Sequence, residues 1–451
     1  MKFFGSGRIL MVALVAGLAG CGGSSSSSGG DLVGGPAPLC QLTEEQLSNP
    51  SLATQVPGGL DANLCDFGVF AWESFLHLTT SVGTSPRSLP NSGRRRFQVE
   101  ADYPEYSDEP GVSCASLNDN IFNAVRVAAP GVGPEAGAGT IYSVEGQRNS
   151  GNNVILYNIR FSRSLCSAEG EQLPPDLVEM KLAWRFLRQA DRSRYYWQEI
   201  RFEDGSVATL GLVGFHLAQV TEYHPEMVWS TWEHVDNAPD CSPTEVSPAE
   251  PENGWTMMES ECAACLADPN QQECSEPCGP VNRSNAGSGN PKVYPLQADP
   301  TNTCRVYPEG TRDGDNQADT NRSNIRQLNA QVAGPDGYLA SLPANDPQSV
   351  WQNYRLVGGI WFNTATDDSP PAYLPPAPGT NPDRQRGSIA LANTVMETTF
   401  QGGPVPKVDD ASNSEVNCFQ CHQAPNYAAT MDASSSLSHI AQSIVGGATS
   451  P

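Results

Sequence analysis

Apolar and polar residues alternate with a period of two along segments 154–163 and 178–186 in the first half of the chain. Such alternation is typical of half-buried strands. Two further segments, 195–203 and 207–220, flank Asp204-Gly205, a dipeptide typical of a tight hairpin. The last segment is apolar on both faces, so we expect it at the centre of the sheet. The pattern predicts an antiparallel sheet over residues 150–235.

A longer period, typical of helices, marks segments on both sides of this sheet. They are 66–78, 321–332, 348–361 and 388–400. Apolar residues recur there every three or four positions, as on one face of a helix. The predicted fold class is therefore α+β: an antiparallel β-sheet core with flanking helices and a mainly helical or loop C-terminal region.

The first 20 residues have the features of an export signal. A positive start and an apolar core, residues 9–18, lead through small residues to Cys21, and the core is too short to span a bilayer. This step resembles the lipobox of bacterial lipoproteins, in which the cysteine is acylated; a secretory signal with an incidental Cys21 is the alternative. Residues 22–30 are almost entirely Gly and Ser, which is typical of a flexible tether. We expect a protein of the cell envelope, lipid-anchored at the periplasmic face or the outer membrane.

The composition indicates a folded, acidic protein. Hydrophobic residues make up 38% of the chain and the formal net charge is −24. Removal of residues 1–20 takes away two basic residues and no acidic one, which leaves −26. This charge excludes nucleic acid as a natural partner and favours basic partners, although solubility is the simpler explanation for it. Membrane contact is expected through the lipid anchor only.

Thirteen cysteines support an oxidising compartment. Setting aside Cys21 and two near the C-terminus leaves ten, an even number that predicts up to five disulfides. Proximity along the chain suggests Cys40–Cys65 and Cys114–Cys166. Six of the ten lie between residues 241 and 304, in a loop-rich stretch. Zinc binding there is the weaker alternative, since the stretch contains no histidine.

The pentapeptide Cys418-Phe419-Gln420-Cys421-His422 is the attachment sequence for a c-type haem. Two thiols three positions apart lie on one helical turn and reach the two vinyl groups of one porphyrin, and the next residue supplies the proximal imidazole. A Cys418–Cys421 disulfide or half of a zinc site are the alternatives. The sequence thus predicts one haem c, with His422 as the proximal ligand of the iron.

The residue opposite His422 decides the chemistry. His439 is the leading candidate because it lies 17 residues further on, in a short amphipathic segment preceded by serines that could cap a helix. His216 is the second candidate, since its neighbour Gly214 lacks a side chain and would let a flat macrocycle approach. Three methionines and an open sixth position are further options; the methionines are Met227, Met396 and Met431.

Two other polar groups could take part. Residues 224–236 carry two histidines and three carboxylates, which could hold a non-haem metal or relay protons. The preferred interpretation is the end of the sheet that walls the haem, with its carboxylates exposed or bonded to arginine. Three arginines, Arg94 to Arg96, could neutralise haem propionates, although a solvated loop is the simpler explanation.

The chain also resembles the large monohaem cytochrome c family proteins exported by Gram-negative bacteria. The matching segments, in order, are 70–75, 179–184, 211–216, 224–237, 351–356, 391–398 and the CxxCH segment. The resemblance implies haem c binding and electron transfer but no particular substrate or redox partner.

These observations divide the chain into five regions. They are a lipoprotein signal (1–20), a tether (21–38), a mixed region with the sheet (39–240), a disulfide-stapled excursion (241–304) and a helical haem c region packing on the sheet (305–451). The predicted function is electron transfer at the envelope. A haem-dependent peroxidase or oxygenase is the alternative, with an open distal side and His216 or His234 as acid–base residue.

Overall fold

The predicted antiparallel sheet is present and extends beyond residues 150–235. The structure, a computed structural model, describes residues 39–83, 91–106, 114, 126–127, 141–144, 153–168, 173–201, 207–242, 244, 247–266, 282–284, 302–311, 317–362, 385–397, 418–421, 438, 440–441 and 444. The strands are β1 (Arg126–Val127), β2 (Leu156–Phe161), β3 (Val178–Phe186), β4 (Trp197–Arg201), β5 (Val207–Thr221), β6 (His224–His234), β7 (Asn282–Ser284), β8 (Thr303–Arg305), β9 (Tyr354–Phe362) and β10 (Gln385–Gly387).

Helices are fewer and mostly short. They are α1 (Glu44–Ser48), α2 (Leu64–Leu78), α3 (Ser260–Cys265), α4 (Ala318–Ala333), α5 (Tyr338–Ser341) and α6 (Cys418–Cys421). The predicted helices at 66–78 and 321–332 are confirmed as α2 and α4. A capping box starts α2: the Asn63 side chain accepts from Cys65 N–H, and the Asp66 carboxylate accepts from Asn63 N–H at 2.8 Å.

The main sheet has eight strands. Seven of them lie in the order β1-β2-β3-β5-β6-β9-β10, and the eighth, β4, pairs with the first part of β5, residues 207–211. All these pairs are antiparallel, and β5 is central as predicted, since it pairs with β3, β4 and β6. Arg201 lies opposite Val207, which confirms the hairpin; its Asp204-Gly205 turn lies outside the described residues. Strands β9 and β10, from the region after residue 304, complete the sheet.

The two faces of the sheet are covered differently. One, here called the helix-covered face, packs against α2 and α4; in its core Phe75 stacks on Trp232 at 4.6 Å and meets Trp351 edge-on at 5.4 Å. Phe215 and Leu217 of β5 belong to this core. Because successive residues of a strand face opposite sides of the sheet, Gly214, His216 and Ala218 lie on the other face. We call that side the motif face, since α6 packs on it.

Three disulfides are formed among the described cysteines. Cys40–Cys65 and Cys114–Cys166 confirm the predicted pairs, and Cys241–Cys304 is a third. Cys262 is also disulfide-bonded. The Cys40–Cys65 disulfide fastens the N-terminal segment to the start of α2. In the chain-entropy view, closing a loop of this size stabilises the folded protein by about 3 kcal/mol.

Two predicted helices are wrong. Residues 348–361 form a 3-10 turn (Ser349–Asn353) followed by β9, because the Gly358-Gly359 pair disfavours a helix and both faces of the strand are buried. Residues 388–397 form turns in which the Asn393 side chain accepts from Val395 N–H and the Glu397 carboxylate accepts from Asn393 N–H. Such local bonds compete with helix formation; residues 398–400 lie outside the described part.

Candidate functional site

Helix α6 carries the two cysteines of the CxxCH motif onto the motif face. Phe419 is fully buried, 4.2 Å from Phe362 and 6.2 Å from Trp229 between ring centroids. Cys418 is half-buried at the border of the same apolar cluster. The backbone of Cys421 lies one turn further on, and nothing is described of its side chain. His422 lies outside the described residues.

A second piece of the C-terminal region packs into the same cluster. Ile440 and Ala441 are buried there and Ile444 is partly buried. Ile444 N–H donates to the Ile440 carbonyl, which closes a helical turn. His439, between two of the described residues, lies itself outside the described part, as do Met431 and Cys21. The chain positions on either side of His439 thus lie on the sheet face that holds Phe419.

Ser438 anchors this second piece by two hydrogen bonds. Its hydroxyl donates to the Glu179 carboxylate of β3 and accepts from Ala441 N–H at 2.9 Å, as a helix N-cap does. Burial raises the pKa of Glu179 to about 7, against the opposing effect of the Ser438 hydrogen bond. Sequence reasoning singled out neither residue, and 259 positions separate them.

His216 forms a pair with Glu397 on the motif face. Nε2 of His216 lies 2.6 Å from the carboxylate, and the side chains are 18% and 24% exposed. Lys181 lies directly opposite His216 on β3. Burial by itself raises the pKa of Glu397, yet the charge and hydrogen bond of His216, helped by Lys181, bring it below the usual value. Glu397 is a second residue that the sequence did not reveal.

The space beside Gly214 is filled by protein. A side chain added there would meet Val395 at 2.7 Å and Met396 at 3.0 Å. The expectation that this glycine lets a macrocycle approach is therefore wrong, because the turn at residues 393–396 packs on it. The argument that favoured His216 as sixth ligand is lost with it. Met396 is buried in this turn, whereas Met227 is buried in the cluster of Phe419.

The histidines and carboxylates of residues 224–236 are bonded to other groups of the protein. His224 Nδ1 lies 2.8 Å from Glu226, both buried. Glu233 accepts from Arg305 and from Thr394 N–H, and Asp236 makes a bidentate pair with Arg194 at 2.6 and 2.7 Å. Two of the three carboxylates, Glu233 and Asp236, are thus bonded to arginine as the preferred interpretation expected, whereas Glu226 pairs with His224. Among the described residues, no group of three or more His, Cys, Asp or Glu could hold a metal ion.

His234 is a structural residue. It stacks on Tyr195 at 3.7 Å, its Nδ1 accepts from Asp236 N–H, and its Nε2 lies 3.1 Å from the Arg194 carbonyl. These partners fix the neutral tautomer with a proton on Nε2. Burial lowers the pKa of His234 to about 4. Both nitrogens are used, so His234 does not fit the acid–base role considered for it.

The arginine triplet does not form a solvated loop. Arg95 is fully buried, lies 4.7 Å over the Tyr196 ring and donates to the Pro347 carbonyl. Arg94 donates twice to the Gln98 carbonyl. Burial lowers the pKa of Arg95. Arg95 thus belongs to the core of the helix-covered face, on the opposite side of the sheet from α6.

Comparison of the chain with family models, curated proteins and solved structures finds no match to any of them. Within the described ranges, no helix combines the length and apolar character needed to cross a membrane.

Proposed function

We propose that this protein is an envelope c-type cytochrome that transfers electrons through a single haem attached to Cys418 and Cys421. The observation that supports it most is the convergence of two segments on one apolar cluster: the helical turn of the two cysteines, and the piece that flanks His439. A porphyrin needs both thiols on one turn and an apolar wall. The described part of the motif supports this proposal with Cys418 on a helical turn beside buried apolar side chains.

The chain's own residues have distinct roles in this proposal. The thiols of Cys418 and Cys421 would hold the group covalently, and His422, next in sequence, would bind its iron. Phe419, with Trp229 and Phe362 beside it, forms an apolar wall next to Cys418, and such a low-dielectric wall would favour the less charged state of a bound group. When bound, haem c supplies a one-electron couple between Fe(III) and Fe(II).

We take His439 as the sixth ligand, with His216 as the alternative. The anchored residues beside His439 lie in the Phe419 cluster, whereas Nε2 of His216 already contacts Glu397. Two protein ligands would make the iron six-coordinate and suited to electron transfer rather than to substrate binding.

The proposed location is the cell envelope, with lipid on Cys21 as the membrane anchor. Three formed disulfides favour an oxidising compartment. The proposal includes membership of the exported monohaem cytochrome c family. The redox partner would be a protein with a basic docking surface, given the net charge of −24; nucleic acid is not a partner.

The second candidate function is a haem-dependent peroxidase or oxygenase. The observation that favours it is the His216–Glu397 pair, an imidazole oriented by a carboxylate on the same face as α6. In this alternative the distal position is open, and His216 moves the proton.

The experiment is expression in a host with haem-ligation machinery, followed by intact mass and absorption spectra. We expect one covalent macrocycle, sharp low-spin bands in the ferrous state and poor binding of carbon monoxide. The Cys418→Ala/Cys421→Ala double variant should be colourless, whereas Cys40→Ala/Cys65→Ala, a control that removes a complete disulfide pair on the helix-covered face, should keep the haem. A colourless wild-type protein would refute the proposal, and a high-spin iron that reacts rapidly with peroxide would favour the enzyme.

A further inference from the structure

We propose that the motif face carries a binding site for a small hydroxycarboxylate, bordered by Lys181, His216 and Glu397. The proposal goes beyond electron transfer and does not depend on haem attachment. All three side chains lie in the part of the chain that the structure describes, and each is partly exposed.

The central strand β5 is covered along nearly its whole length. From residue 208 to residue 221 every position is buried except His216, whose side chain is 18% exposed. Gly214, two positions before it, lies under the turn at residues 393–396. Ala218, two positions after it, belongs to the apolar cluster of α6. The cover of the motif face therefore has an opening above His216, between these two parts.

Glu397 fixes the orientation of the imidazole in this opening. One of its oxygens lies 2.6 Å from Nε2 of His216, and the other accepts from Asn393 N–H at 2.7 Å. Burial by itself raises the pKa of Glu397, but the charge and hydrogen bond of His216 outweigh it, so the carboxylate is ionised and accepts the Nε2 proton. In the neutral imidazole Nδ1 is then an acceptor, and it has no hydrogen-bond partner among the described residues.

Lys181 places a positive charge at the same opening. It lies directly opposite His216 on β3, and side chains so placed in neighbouring antiparallel strands have Cβ atoms about 4.5–5.5 Å apart. Its ammonium lies 5.6 Å from the centre of the Tyr157 ring and is close enough to Glu397 to help lower the pKa of that carboxyl. An ammonium has three donors, so it can bind an anionic group and keep its protein contacts.

The imidazole acceptor and the ammonium together match a molecule with a carboxylate and a hydroxyl on neighbouring carbon atoms. The carboxylate would pair with Lys181, and the hydroxyl would donate to Nδ1 of His216. An amino acid of the same size is disfavoured, because its ammonium would lie beside that of Lys181. A plain carboxylate lacks the donor for Nδ1. The class of ligand that fits is therefore a short α-hydroxy acid.

The test is calorimetric titration of the full-length haem-loaded protein with glycolate, which should bind with a Kd of about 1 mM. Acetate lacks the hydroxyl and should bind about 10-fold more weakly; glycolamide lacks the charge and should bind about 10- to 100-fold more weakly. Lys181→Met should weaken glycolate binding by about 10- to 100-fold, whereas Lys181→Arg should keep most of it.

His216→Phe removes the acceptor and should weaken glycolate binding about 10-fold. His77→Phe is the matched control: His77 is also partly exposed, but it lies on α2 with Nδ1 3.0 Å from the Pro50 carbonyl. This variant should bind glycolate like the wild type.

The outcomes separate this inference from the proposed function. Equal affinity for glycolate and acetate overturns the inference, and so does a Lys181→Met variant that binds like the wild type. A change of spin state that follows glycolate saturation would place the acid on the iron and overturn it as well. A colourless protein that binds glycolate refutes the cytochrome and leaves the site intact, whereas a haem protein that binds none does the reverse. If His216→Phe fails to fold, the two Lys181 variants decide the question.

Discussion

The two faces of the central sheet differ in what covers them. The helix-covered face packs against the long helices α2 and α4 and is filled with aromatic rings, among them Phe75, Trp232 and Trp351. The motif face is covered by turns and by short C-terminal pieces, and Glu179 and Lys181 on it are partly exposed. The helix-covered face also holds a charged group, but there Arg95 is fully buried. One face is built to hold the fold together, whereas the other leaves polar side chains partly exposed, as a functional site needs.

Two histidines show the same contrast. His234, on the helix-covered side, is buried and locked in its neutral form by Asp236 N–H and the Arg194 carbonyl. His216, on the motif face, is partly exposed and paired with a carboxylate. The residue type is the same, but the first is enclosed by its partners, whereas the second is partly exposed to solvent.

The strongest test exchanges the same side chain on each face. Phe75→Ala should lower the free energy of unfolding by about 3–5 kcal/mol, because it opens a cavity among stacked rings, and should leave the haem spectrum unchanged. Phe419→Ala should cost less global stability but alter the spectrum and expose the C-terminal segment to protease. Denaturant unfolding and absorption spectra of both variants are the measurements. Equal effects of the two variants would contradict the division of roles.

The next test concerns pH and the helix-covered face. The pKa of His234 is about 4 in the folded protein, against 6.5 for an exposed histidine, as in the unfolded chain. Between these two pH values the unfolded chain therefore binds a proton that the folded protein does not. The contribution of this residue is fully present above pH 6.5 and is lost as pH falls toward 4, by about 3 kcal/mol. His234→Gln should be less stable at pH 7 and should lose this part of the pH dependence. The free energy of unfolding is measured with denaturant at several pH values between 4 and 6.5. If it falls with pH as steeply in His234→Gln as in the wild type, the assignment is wrong.

A smaller effect is expected at Gly214, where the sequence suggested room for a cofactor. An alanine there would press on Val395 and Met396. Gly214→Ala should cost about 1–3 kcal/mol through overpacking and leave haem content and spin state unchanged. Thermal unfolding followed by circular dichroism measures the first, and absorption the second. A stable variant with a disturbed haem would show that a macrocycle does lie against this glycine.

The sequence predicted what depends on local signals. Helix α2 follows from the spacing of its apolar residues, strand β5 from the Asp204-Gly205 turn before it, and Cys40–Cys65 from proximity along the chain. Strand β9 was missed because it is buried on both faces and so has no period of two, and because no Asp-Gly or Asn-Gly dipeptide directly precedes it. Local signals predict single elements and pairs close in the chain, not the contacts between distant residues.

The contacts of the candidate site join residues far apart in the chain. Glu179 meets Ser438 across 259 positions, and His216 meets Glu397 across 181. No short pattern announces such pairs, since the sheet brings them together only after folding. The burial of Arg95 was missed for the same reason: three consecutive arginines are typical of surface, and only the tertiary contacts with Tyr196 and Trp351 reverse this.

The smallest effect on stability, and the one that decides between the two functions, is expected at His216. His216→Gln should lower stability by less than about 1 kcal/mol, since partly exposed ion pairs contribute little. If the protein is an electron carrier with His439 on the iron, the variant keeps its low-spin spectrum, and Glu397→Gln behaves alike. If instead His216 moves a proton in a peroxidase, both variants should lose about 10²- to 10⁴-fold in peroxide turnover without a change in spin state. A shift to high spin in His216→Gln but not in Glu397→Gln would identify His216, not His439, as the sixth ligand, because Glu397→Gln leaves the imidazole in place.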